Sequence, residues 1–97
     1  MKLQALMGNS GGVWKVFVPL LGSVSNWPEH RWPHGVPIPT PAARREVLAD
    51  LGYEPLPGAA WRWEECPAAS AEPDDPHAPV DLIAAIELRE RGGEVAA

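Results

Sequence analysis

The sequence predicts an α+β fold: a small antiparallel sheet of about four strands, in the order β-β-α-β-β, with one helix packed on a face. Three observations predict it. Residues 2–21 alternate in polarity around a glycine-rich turn, as a hairpin does. Residues 40–52 carry a helix start, an apolar stripe and a glycine stop. Residues 61–65 and 80–90 alternate again. Ninety-seven residues suffice for one domain, taken as 1–91, with a fraying tail at 92–97. The interior is short of large aliphatics. Ala, Gly and Pro number 35 against 21 for Leu, Ile, Val and Phe, so the five tryptophans must supply much of the buried apolar surface.

The first strand rests on Leu3, Ala5 and Met7 alternating with Lys2 and Gln4. Gly8-Asn9-Ser10-Gly11-Gly12 reads as the turn, because Gly and Asn tolerate the positive φ of hairpin loops. Val13 to Leu21 forms the second strand, with Trp14, Val16, Val18 and Leu20 on one face and Lys15, Phe17, Pro19 and Leu21 on the other. Pro19 has no N–H to give a ladder, so this strand sits at an edge or ends there.

Residues 22–41 contain proline at 28, 33, 37, 39 and 41, which favours an extended, polyproline-like connection. Thr40 then offers a helix N-cap and Pro41 the first helical position. Ala43, Val47, Leu48 and Leu51 make the apolar stripe, Arg45, Glu46 and Asp50 face outward, and Gly52 stops the helix at about 41–51. Trp61 and Trp63 share one face of the next strand, and residues 66–79 read as a polar loop. The element at 80–90 fits a strand or a helix by periodicity. A strand is chosen because it pairs with Trp61–Glu65 and gives the helix a sheet to cover.

An ordered series of motifs carries a resemblance. Trp14-Lys15-Val16-Phe17-Val18, Trp27-Pro28-Glu29-His30, Pro37-Ile38-Pro39-Thr40 and Leu51-Gly52-Tyr53 are followed by Trp61-x-Trp63-x-Glu65, Pro73-Asp74-Asp75-Pro76 and Leu82-Ile83-Ala84-Ala85. Over residues 13–89 the chain resembles a family of short actinobacterial proteins known only as a domain of unknown function. The resemblance favours the strand at 80–90 and implies no activity, ligand or catalytic residue.

Charge is unevenly placed. Residues 1–45 carry five bases and one acid, whereas residues 46–97 carry three bases and twelve acids, for a net −5. An acidic chain repels phosphate backbones, which disfavours direct nucleic-acid binding. Cys66 is the sole cysteine, so no disulfide forms within the chain. No segment reaches the ~18–20 apolar residues of a membrane span, and Met1–Met7 is too short for a signal-peptide core. The chain is read as a cytoplasmic protein without a membrane partner.

Chemical motifs are few. His30, His34, Cys66 and His77 are suitable metal ligands, but their spacing lacks the tight pairs of a zinc site, and no metal or cofactor is expected. No nucleophile elbow, phosphate loop or dinucleotide fingerprint is present, so no catalytic residue is assigned and no enzyme is expected. Glu64-Glu65 on a strand point to opposite faces, which does not suit paired acid and base roles.

What remains is a cluster of Trp27, His30, Arg31, Trp32, His34, Arg44 and Arg45. Trp and Arg are enriched at interface hot spots, and two arginines in a helix's first turn oppose its dipole. The expectation is a non-catalytic interaction or regulatory module that binds a protein partner through this Trp/His/Arg surface, with a homo-oligomer also open. Two rivals stand beside it. One is a small-molecule binder that stacks an aromatic or anionic metabolite on Trp27 or Trp32. The other is an acidic inhibitor that mimics nucleic acid through the −9 half.

Overall fold

A computed structural model describes residues 3–22, 24–67 and 74–91. The expected tail at 92–97 and residues 68–73 of the expected loop lie outside the described residues.

β1 (Gln4–Ser10) and β2 (Val13–Phe17) form the predicted hairpin. Its turn is only Gly11 and Gly12, with φ of 60° and 86°, the double positive φ that a tight two-residue hairpin loop demands. The Asn9 side chain accepts the Gly12 N–H at 3.1 Å and pins the loop. The turn is therefore shorter than Gly8–Gly12, because Gly8 and Asn9 are held in the ladder opposite Lys15 and Trp14. β2 stops at Phe17 instead of Leu21, just before Pro19.

The proline-rich connection contains a strand that was not expected. β3 (Glu29–Arg31) pairs with β2, and the ladder is extended by bonds from Val18 N–H to the Pro28 carbonyl and from Trp32 N–H to the Trp14 carbonyl. Polyproline-like backbone is already close to strand geometry, and Pro28 and Pro33 bracket the four residues left free to pair, Glu29, His30, Arg31 and Trp32. The result is a short sheet edge flanked by proline, which resists further pairing.

α1 (Pro41–Leu51) has the predicted bounds. Thr40 Oγ1 accepts the Ala43 N–H at 3.1 Å, and Gly52 caps the other end at φ 99°. Directly after it comes a second unforeseen strand, β4 (Tyr53–Pro55). β5 (Arg62–Pro67) and β6 (Val80–Glu90) complete an antiparallel sheet, so the strands among the described residues number six where about four were expected.

β6 is the spine. Its residues 83–87 pair with β1, residues 80–85 pair with β5 and residues 88–90 pair with β4. Leu88 donates to Leu3 on the β1 side, while the Glu87 carbonyl accepts from Leu56. Adjacent residues turn their peptide groups to opposite edges, so β4 and β5 lie end to end along the edge away from β1. Across the sheet the order is β3, β2, β1, β6, then β5 and β4 together.

The core lies between the sheet and α1. Ala5, Met7, Val16, Val18, Ala84, Ile86 and Leu88 from the sheet, with Leu48 from the helix, are buried. Trp14, Trp32, Val47, Tyr53 and Trp61 pack around them. Each large apolar side chain sealed this way stabilises the fold by about 1.5–3 kcal/mol. No helix among the described residues is long and apolar enough to cross a membrane.

Candidate functional site

Alternation along β3 decides where the seven singled-out residues go. Val16, a core residue, faces His30, so His30 and Trp32 lie on the helix side, with the His30 ring edge-on to Trp32 at 4.8 Å. Arg31 and Glu29 point to the other side and pair at 3.0 Å. Trp27 lies with them. It stacks on Phe17 at 6.0 Å and donates its indole N–H to the Leu20 carbonyl at 2.7 Å. His34 is exposed beside the hairpin turn, where a Cβ on Gly12 would meet its Nε2 at 2.6 Å. The seven side chains do not share one surface.

Arg44 and Arg45 also part company. Arg44 is 6% exposed, donates from Nε to the Pro39 carbonyl at 2.9 Å, and places its guanidinium 5.1 Å from the Trp61 ring and 5.7 Å from Trp63. Trp63 in turn meets Trp14 edge-on at 6.3 Å. Burial pushes the Arg44 guanidinium below its ordinary value, yet it stays charged at neutral pH. The indole faces offset the poor siting of a cation at a helix start. Arg45, one residue on, is exposed and borders a cavity of about 640 Å³ between α1 and the β4–β5 connection. Tyr53, Trp61, Leu48, Ile86 and Arg91 also border it.

Over β1, β6 and β5 no described element lies across the second face of the sheet; at the β2–β3 end a single-turn helix (Val24–Asn26) and Trp27 border it, with Ser25, Trp27, Lys15, Phe17 and Glu29 lining one hollow. Strand register arranges it in rows. Across β3, β2, β1, β6 and β5, one row reads Arg31, Lys15, Gly8, Ile83, Glu64. The next reads Glu29, Phe17, Leu6, Ala85, Arg62. The centre is apolar and half-buried, and the rim is charged with both signs. Leu6, Gly8, Lys15, Phe17 and Ile83 border a shallow hollow of about 260 Å³ in the middle. Lys15 stands 5.8 Å over Phe17. No group of three or more His, Cys, Asp or Glu able to hold a metal occurs among the described residues.

A model described as a family of unknown function, DUF6303, matches residues 1–96. The chain belongs to the DUF6303 family. No curated protein and no solved structure matches it. Membership agrees with the resemblance carried by the tryptophan and proline motifs.

In this DUF6303 chain, Leu6, Lys15, Phe17, Ile83 and Ala85 were not singled out from the sequence. A usable signal was present. A sheet with one face to solvent alternates apolar with polar, yet Leu6 and Gly8 of β1, Phe17 of β2, and Ile83 and Ala85 of β6 sit at outward positions. The sequence also hid the role of Arg44, because a basic residue in an exposed first turn reads as surface until the two indoles are seen around it.

Proposed function

We propose that this DUF6303 member is a non-catalytic interaction module that docks a protein through the bare face of its sheet. One observation carries the reading. Leu6, Phe17, Ile83 and Ala85 form an apolar strip on the side opposite the helix, with Trp27 stacked beside it and charges of both signs around it. An apolar centre within a polar rim is the anatomy of a docking patch. The matching partner offers its own apolar strip flanked by charges of both signs. Trp27 and Arg31 belong to this surface, whereas Arg44 serves the fold.

Neighbouring residues on β6 provide the test. Ile83 faces the strip, and Leu82, 49% exposed, faces the helix side. Replacing Ile83→Glu is expected to cut partner retention at least about tenfold, one decade in affinity being small beside the cost of a charge set in an apolar contact. Leu82→Glu should leave it unchanged. Equal retention by both variants refutes the reading.

A second reading has its own support in the 640 Å³ cavity. Tyr53 and Trp61 give it aromatic walls, and Arg45 and Arg91 border it without an ion pair to any described carboxylate. That combination suits an aromatic carboxylate. Titration with indole-3-acetate or benzoate, followed by tryptophan fluorescence, tests it. Saturable quenching that is lost in Arg45→Ala supports this reading, and a flat titration rejects it.

A further inference from the structure

We propose that the occupant of the bare face is a second copy of this chain, packed sheet to sheet about a two-fold axis that runs across the strands. The proposal rests on that face being the docking surface, and it names the partner.

The two rows are self-complementary. A two-fold axis lying in the interface, across the strands and midway between the rows, sets the Arg31 row of one copy over the Glu29 row of the other, strand position by strand position. At the β3 position Arg31 then meets Glu29. At β2, Lys15 and Phe17 of one copy meet Phe17 and Lys15 of the other, enlarging the cation–aromatic group in which Lys15 already stands 5.8 Å over its own Phe17 and Trp27 stacks on that ring. At β1, Leu6 meets Gly8 and enters the hollow of about 260 Å³ that the missing side chain leaves. At β6, Ile83 meets Ala85. At β5, Glu64 meets Arg62. Every position pairs opposite charge, cation with ring, or large with small.

The symmetry makes each contact occur twice, so ten residues supply a whole interface. Glu64 and Lys15 make no ion pair among the described residues, so both have charge to offer a neighbour. Arg62 reaches Glu87 only at 3.8 Å. Sheets stacked face to face keep their strands within about 30° of alignment. The central contacts at Leu6, Gly8, Ile83 and Ala85 are therefore close, and the long rim side chains span the divergence towards the outer strands. A foreign protein would have to match both rows in order. A second copy matches them by its own sequence.

The experiment is sedimentation equilibrium of the full chain from about 1 µM to about 1 mM, the range in which patches of modest size associate. The mass is expected to rise from 10.5 kDa to twice that value. Leu6→Glu should raise the dimer dissociation constant about 100-fold with unchanged circular dichroism, since it places a carboxylate from each copy in the desolvated centre opposite Gly8, with no cation to meet it. Glu64→Arg should raise it about tenfold by facing Arg62 of the other copy, and adding Arg62→Glu should restore it. Non-specific apolar association shows no such rescue. A chain that stays at 10.5 kDa throughout overturns the proposal, as does a dimer that survives Leu6→Glu or a double variant that fails to recover. A monomer whose foreign partner is still lost on Ile83→Glu overturns self-pairing alone and leaves the docking surface in place.

Discussion

Ile83 and Ile86 lie three residues apart on β6 and show what separates the two faces of the sheet. Ile86 is 3% exposed and sits beneath the helix with Ala5 and Leu88 around it. Ile83 lies in the open row between Gly8 and Glu64 and is only half-buried by its neighbours on the strands. Around α1 the helix face uses its apolar residues to hold the monomer together, while Trp63, Val80 and Leu82 at its β5–β6 end stay exposed. The second face keeps a set, Leu6, Phe17, Ile83 and Ala85, that the monomer buries only in part. Apolar residues on both sides of a strand therefore do not have equal worth, because burial is set by what lies above them.

Substitutions can break this comparison. The largest effect is expected from Ile86→Ala, which leaves a void in the core and should cost about 2–4 kcal/mol in urea unfolding. Ile83→Ala, measured at a concentration too low for assembly, should cost about 1 kcal/mol or less. Equal losses would show that the second face is as sealed as the first. Next comes Arg44→Leu, expected to cost about 2 kcal/mol by leaving the Pro39 carbonyl without its donor and the two indoles without their cation. Thr40→Ala removes the cap on the Ala43 N–H and should cost about 1 kcal/mol in the same measurement. The smallest change is expected at the rim. Glu29→Gln breaks an exposed pair with Arg31 and should move monomer stability by no more than about 0.5 kcal/mol. The contrast between Arg44 and Arg31 sharpens the lesson, since one guanidinium is enclosed by the fold and the other is left at its margin.

Much of the fold was legible because local signals and tertiary need agreed. Thr40, Pro41 and Gly52 fix both ends of α1 through backbone groups that any environment must satisfy. The alternation of Trp14, Val16 and Val18 put them on one face, and that face is the one the structure turns to the core. β3 and β4 were not legible, since three residues carry no period and their pairing comes from β2 and β6 alone. The site was harder still. Trp27 and Arg31 reach the bare face while His30 and Trp32 turn away from it, a division made by register, which adjacency in the sequence does not encode.

The pairing of β1 with β6 brings together segments from opposite ends of the described chain, with Met7 beside Ala84. During synthesis the β1–β2 hairpin emerges early, but one edge of β1 has nothing to bond until the strand made last of the six arrives and slots into the middle. Such high contact order slows folding, and it leaves a nascent hairpin with an unsatisfied border throughout translation. The tight Gly11–Gly12 loop and the proline-flanked β3 make that waiting piece small and blunt, which limits the chances for neighbouring nascent chains to join it.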